Sequence, residues 1–249
     1  MKDLKFFDAS CTIGGNMLDP GYDENALLRE MDRSGVEKAL VSHSGYAEFP
    51  QTANDLIVKM IKAAPDRLKG VWCLLPQQCP EIPAPEKLCD AMRENNIAAL
   101  TLYPTEQRWY ACRLTIGKYM EVAEEHGIPV FLDGFGSNWD QVYAFLREFP
   151  RNTAIYRAVW GKWGIDRQIR PLLENYENFY FALKGYWVPE GIRDLAGLYG
   201  AGRLLFASGF PLYNMGNQMF QLKHSGLSDG EIAMIAGGNL EKILKGAGL

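Results

Sequence analysis

Two spacings of apolar residues alternate along the chain. Short runs rich in Val, Ile, Phe, Tyr and Trp occupy residues 5–10, 38–42, 68–75, 97–103, 129–133, 153–159, 178–184 and 203–208, and predict eight β-strands. Between them, segments such as "NALLREMDRSG", "ANDLIVKMIKAAP", "APEKLCDAMRENN" and "IGKYMEVAEEHG" place apolar residues three and four apart, as one face of a helix requires. Most of these segments stop at Gly, Asn or Pro. Eight strand-then-helix units predict a single α/β domain over residues 1–249, closed as a (β/α)8 barrel. The competing architecture, an open doubly wound sheet, carries GxGxxG or GxxxxGK[ST] after a strand, and neither follows a strand here. The proline-rich "PQQCPEIPAPE" at 76–86 is too short to link domains.

Composition narrows the classes of function. The chain is 47% hydrophobic, enough for a large core, yet no apolar run approaches the roughly 18 residues of a membrane span. The N-terminal "MKDLKFFDA" lacks the apolar stretch and cleavage site of an export signal, so a cytoplasmic protein is expected. A net charge of −4, without a Lys/Arg cluster, leaves no electrostatic footprint for nucleic acid and favours a small-molecule ligand. The five cysteines, Cys11, Cys73, Cys79, Cys89 and Cys112, form no CxxC pair and are read as free thiols.

A barrel of this kind carries its chemistry at the carboxyl ends of the strands. Here those ends read "DASCT", "SHSG", "LLP", "TLYP", "LDGFG", "RAVWG", "LKGYW" and "ASGFP". Together with "MDRSGVEKALV", "ANDLIVKMIKAAPDRLKGVWCLLP" and "IAGGNLEKIL", they resemble the amidohydrolase superfamily over nearly the whole chain. The similar branch is that of aminocarboxymuconate semialdehyde decarboxylase and related metal-dependent hydrolases. The resemblance implies a TIM barrel and, by family, a hydrolase with a metal centre. It also implies where the family's residues should stand. The family motif DxHxHxG aligns with "DASCTIG", putting its histidines at Ser10 and Thr12. The fifth- and sixth-strand histidines fall on Asp133 and Val159, and the aspartate of "GSDxP" falls on Gly209. None of these five positions keeps its family residue.

Apart from any resemblance, the chain has three histidines, His43, His126 and His224, and only His43 finishes a strand. A zinc site of three or four imidazoles therefore cannot be assembled. Hydroxyls are poor ligands for such an ion, and Asp8 with Asp133 is a thin set for calcium or magnesium. No metal and no cofactor are expected.

Asp8 and Asp133 are expected to face the vacated space, where unpaired carboxylates are costly and call for a cation. Counting in twos along strand six turns Arg157 inward, and the resemblance puts Lys184 at a strand-seven serine position. Either is expected to pair with Asp133. In a functional site, Asp133 and Lys184 are the catalytic candidates, with Asp133 as general base on an activated ester, a lactone or a carbonyl acid. The substrate-binding candidates are Arg157, Ser10, Thr12, Tyr103, His43 and Trp160. In the structural alternative, the same charges make a salt bridge that fills the hole. A Schiff base on Lys184 needs a desolvated amine, against which an adjacent carboxylate would hold its proton. Cys11 is expected to pack on the helix side, and His126 and His224 to end helices. Trp109, Tyr110, Trp139, Trp163, Tyr186, Trp187, Phe210 and Tyr213 fall near the strand ends, as a ligand rim or a contact in a homo-oligomer. The resulting expectation is a divergent barrel that binds or acts on a small, anionic or aromatic compound; the alternative is a non-catalytic pseudoenzyme.

Overall fold

The computed structural model describes residues 4–15, 17–19, 21–135, 138–157 and 165–248. Its eight strands lie in sequence order in one parallel sheet: β1 Phe6–Ile13, β2 Val36–His43, β3 Leu68–Leu74, β4 Ile97–Leu102, β5 Val130–Phe131, β6 Ala154–Arg157, β7 Phe179–Ala182 and β8 Leu204–Leu205. The α-helices among the described residues are α1 Glu24–Ser34, α2 Pro50–Ile61, α3 Leu88–Glu94, α4 Arg113–Glu125, α5 Trp139–Glu148, α6 Asp166–Asn175, α7 Gly191–Tyr199, α8 Met215–Lys223, α9 Asp229–Ala233 and α10 Asn239–Ala247. The predicted barrel is the observed one. Strands β5, β7 and β8 are shorter than their apolar runs because the chain leaves the ladder before the run ends; Asp133, for example, already begins a 3-10 turn.

Local chemistry sets the helix limits. Asp23 caps α1 by accepting the Ala26 amide at 2.7 Å, and Gly35 ends it at φ 79°, its own amide returning to the Met31 carbonyl. Ser228 and Glu231 form a reciprocal capping box at the start of α9. His126 and His224 close α4 and α8, as expected from their positions.

Two apolar layers follow from strand alternation. Phe7, Ala9, Leu40, Val71, Ala99, Phe131, Ile155, Ala182 and Leu205 fill the barrel interior, and Leu240 and Leu244 of α10 join them. The outer layer, with Phe6, Cys11, Val41 and Leu100 on the strands, packs against the helices. Cys11 thus lies on the helix side, and burial, followed by the charge of Asp8, pushes its thiol pKa well above the ordinary value.

The barrel closes where β1 meets the chain after Leu205. Ala9 donates to the Phe206 carbonyl at 3.0 Å, Gly209 to Ser10 at 3.0 Å, and Thr12 to Phe210 at 2.8 Å. Asp8 staples this seam: its Oδ1 accepts both the Ser10 and Ser208 amides at 2.9 Å. Asp8 was expected to face the vacated space together with Asp133, and its Oδ1 is instead committed to the seam. Asp8 pairs with Ala39 and Cys11 with Val41, so three steps on β1 oppose two on β2, a bulge at the residues that close the seam. Replacing Asp8 with Ala leaves two buried amides without an acceptor. Asp8→Ala is expected to lower unfolding stability by about 2–5 kcal/mol, and Asp8→Asn, which keeps an acceptor oxygen, by less, as read from urea denaturation.

Candidate active site

At the carboxyl end of the barrel, Arg157 leaves β6 and meets Asp133 just after β5. Arg157 Nε donates to Asp133 Oδ1 at 2.7 Å, and Nη2 donates to Oδ2 in a closer contact. Two parallel N–H···O contacts make the bidentate fork for which a guanidinium is shaped. The remaining contacts fix the guanidinium in place: Nη1 to the Ala9 carbonyl at 3.1 Å, Nη2 to the Ser42 hydroxyl at 3.3 Å, and its flat face over the Phe131 ring at 4.1 Å. Thr101 Oγ1 donates to Asp133 Oδ2 at 3.0 Å. With side chains 4% and 11% exposed, this ion pair is withdrawn from water. Burial opposes the charge on Arg157, but the Asp133 carboxylate outweighs it and holds the guanidinium pKa above its ordinary value.

Lys184 follows β7 at the same end. The Lys184–Asp133 pairing, offered by the sequence as the other way to satisfy Asp133, is not formed. Among the described residues the Lys184 ammonium makes no ion pair, the carboxylate having gone to Arg157. Its side chain lies across Gly209, where a Cβ would stand 2.9 Å from Lys184 Cγ and 3.2 Å from Cε. Gly209 also sits at φ 75°, so glycine answers both the crowding and the backbone there. Burial and then the like charge of Arg157 lower the Lys184 pKa, against the pull of Asp133 and Asp8.

The other candidates divide. Tyr103 is on the Asp133 side of β4 with Thr101; burial and then the Asp133 charge push its pKa up, so it is a neutral phenol. Ser10 is buried and Thr12 half-buried at the top of β1, with Thr12 in register with Ser42. The sequence reading missed Ser42: strand two delivers this residue, not its neighbour His43, to Arg157. The parity count that found Arg157 would have found it. His43 sits in a separate cleft of 460 Å³ with Tyr22, Leu56 and Met60. Its Nδ1 accepts the Gly45 amide at 3.0 Å, and its Nε2 lies 2.1 Å from where a Cβ on Gly14 would be. Trp160, Val159 and Trp163 lie outside the described residues. Of the expected rim aromatics, Tyr186 and Phe210 are core residues, while Trp187 and Tyr213 pack edge-to-face at 6.4 Å near Lys184 and Gly209.

The chain belongs to the amidohydrolase family, whose sequence pattern (Amidohydro_2: Amidohydrolase) it matches over residues 17–246. Solved structures share the fold at low identity. A TIM-barrel protein from Bordetella bronchiseptica is 18% identical with a TM-score of 0.74, over 99% of this chain and 100% of that one. A 2,6-dihydroxybenzoate decarboxylase complexed with 2,6-dihydroxybenzoate is 14% identical with a TM-score of 0.72, over 98% and 100%. A dihydroxybenzoic acid decarboxylase from Polaromonas sp. JS666, with bound manganese and 2-nitroresorcinol, is 16% identical with a TM-score of 0.75, over 98% and 97%. No curated protein sequence matches the chain.

The manganese of that last structure raises the question whether the residues here suit a metal. Both Asp133 oxygens are committed to Arg157, whose own charge would repel a cation, and Gly209 offers no donor. Among the described residues no three His, Cys, Asp or Glu side chains come together as a ligand set. The donor set does not fit.

Two measurements follow. Arg157→Met, which strands the Asp133 charge, is expected to cost about 3–5 kcal/mol, and adding Asp133→Leu should recover most of it in a double-mutant cycle. Burial lowers the His43 pKa below its ordinary 6.5, so as pH falls through that value the unfolded chain takes up a proton before the folded one does. Stability should therefore drop below pH 6.5, and His43→Gln should flatten that part of the stability-versus-pH curve.

Proposed function

We propose that the chain is a divergent, metal-free amidohydrolase-type protein that binds a small carboxylated aromatic compound at the barrel mouth. The observation that carries this reading is the charge count. Asp133 pairs with Arg157, burial pushes the Asp8 carboxyl pKa up and so disfavours its charged form, and Lys184 makes no ion pair among the described residues. A buried basic side chain without an ion-pair partner suits an anionic ligand. Tyr103, Ser10, Thr12 and Arg157 are the neighbouring groups proposed to orient the ligand, with Trp160 as a further candidate. Structures of similar fold whose names give dihydroxybenzoate decarboxylases support an aromatic carboxylate as the ligand class.

Asp133 and Lys184 are the proposed reacting groups. Their work as a hydrolytic pair would require Asp133 to leave Arg157 and activate water unaided by a metal. That requirement favours a second reading, a binding protein without turnover, in which the Arg157–Asp133 pair is a fixed floor. Titration with 2,6-dihydroxybenzoate by calorimetry tests the binding common to both. Lys184→Met is expected to weaken binding about ten- to a hundredfold, the worth of one charged hydrogen bond. Unchanged affinity would remove Lys184 from the site, and stoichiometric manganese or zinc in the purified protein would overturn the metal-free part.

A further inference from the structure

A lysine attacks a carbonyl only as the free amine. Nucleophilic lysines are accordingly desolvated, set beside another cation, and kept from any carboxylate that would hold their proton. Sequence alone argued against this state for Lys184, because Asp133 was expected within reach of its ammonium. The structure removes that objection. Arg157 takes both Asp133 oxygens, and Asp8, which makes no ion pair with Lys184, receives the Ser10 and Ser208 amides on its Oδ1. Arg157 remains as a like-charged neighbour, and burial acts in the same direction, so the Lys184 pKa is lowered despite both carboxylates. The methylenes pack over Gly209, next to the Tyr213 ring, at the end of β7.

We propose that Lys184 is an imine-forming catalytic amine whose substrate is a small oxo carboxylate. This rests on the reading that the mouth takes small carboxylates. The Nζ lone pair adds to the carbonyl carbon; the former carbonyl oxygen takes a proton from water and Nζ returns one, giving a neutral carbinolamine. Its hydroxyl leaves with a proton as water, and the iminium that remains keeps a positive charge beside the substrate carboxylate. Addition of water reverses the sequence and frees the amine. No oxidant or reductant is consumed. Once formed, the iminium nitrogen can accept the electron pair of an adjoining C–C or C–H bond.

Reductive trapping decides the matter. Wild-type protein is incubated with acetoacetate or pyruvate and cyanoborohydride, which reduces an imine to a stable secondary amine, and the modified lysines are located by peptide mass spectrometry. The expected result is an adduct on Lys184 that forms several-fold faster than on the exposed Lys118, and that is absent at this position in Lys184→Arg. Labelling of Lys184 no faster than Lys118 overturns the proposal, and this comparison needs no variant to fold. Calorimetry with 2,6-dihydroxybenzoate on the same wild-type protein separates the two readings. Binding without a Lys184 adduct overturns imine formation alone, and neither binding nor adduct overturns both.

Discussion

The buried fork between Arg157 and Asp133 is the interaction around which the mouth of this barrel is arranged. It ties β5 to β6 directly, reaches β1 through the Ala9 carbonyl and β2 through Ser42, and draws in β4 through Thr101. Five strands thus meet at one ion pair. Underneath, Phe131 supplies an aromatic face, so the charge rests on the top of the apolar interior. A buried pair of this kind gives little net stability compared with an apolar filling of the same shape, yet losing either partner is costly. Its structural consequence is order: donors and acceptors that could each satisfy several partners are confined to one arrangement.

That arrangement distributes charge unequally. Arg157 is matched by Asp133, Asp8 gives one oxygen to the backbone of the closing seam while burial disfavours its charged form, and Lys184 is left without an ion pair among the described residues. The chemistry proposed for Lys184 is therefore a by-product of where Asp133 and Asp8 were spent. Bound to Arg157, Asp133 makes no ion pair with its lysine neighbour, and its pull on the Lys184 proton is outweighed by burial and the arginine charge.

The barrel was legible in the chain because each strand is a short apolar run set between helices of clear period, and because the helix ends carry ordinary signals such as Asp23, Gly35 and the Ser228–Glu231 box. Arg157 was legible too, since β6 is regular and counting in twos holds along it. On β1 counting in twos put Cys11 on the helix side, as observed, but it did not show the bulge after Asp8, whose Oδ1 goes to the seam. Nothing in "FFDASCTIGG" announces that bulge, which depends on hydrogen bonds to residues some two hundred positions away. Strand two shows a different limit. His43 drew notice for its chemistry, while Ser42, unremarkable by type, reaches the guanidinium. Choosing between Arg157 and Lys184 as the partner of Asp133 likewise needed three-dimensional distances, because both end adjacent strands.

Gly209 and Lys184 are coupled by shape. A Cβ at position 209 would collide with the lysine methylenes, and the positive φ disfavours any side chain there. Any side chain placed at position 209 would therefore strain the backbone and push Lys184 aside at once, so the two positions can change only together: the lysine keeps its place because its neighbour has no side chain.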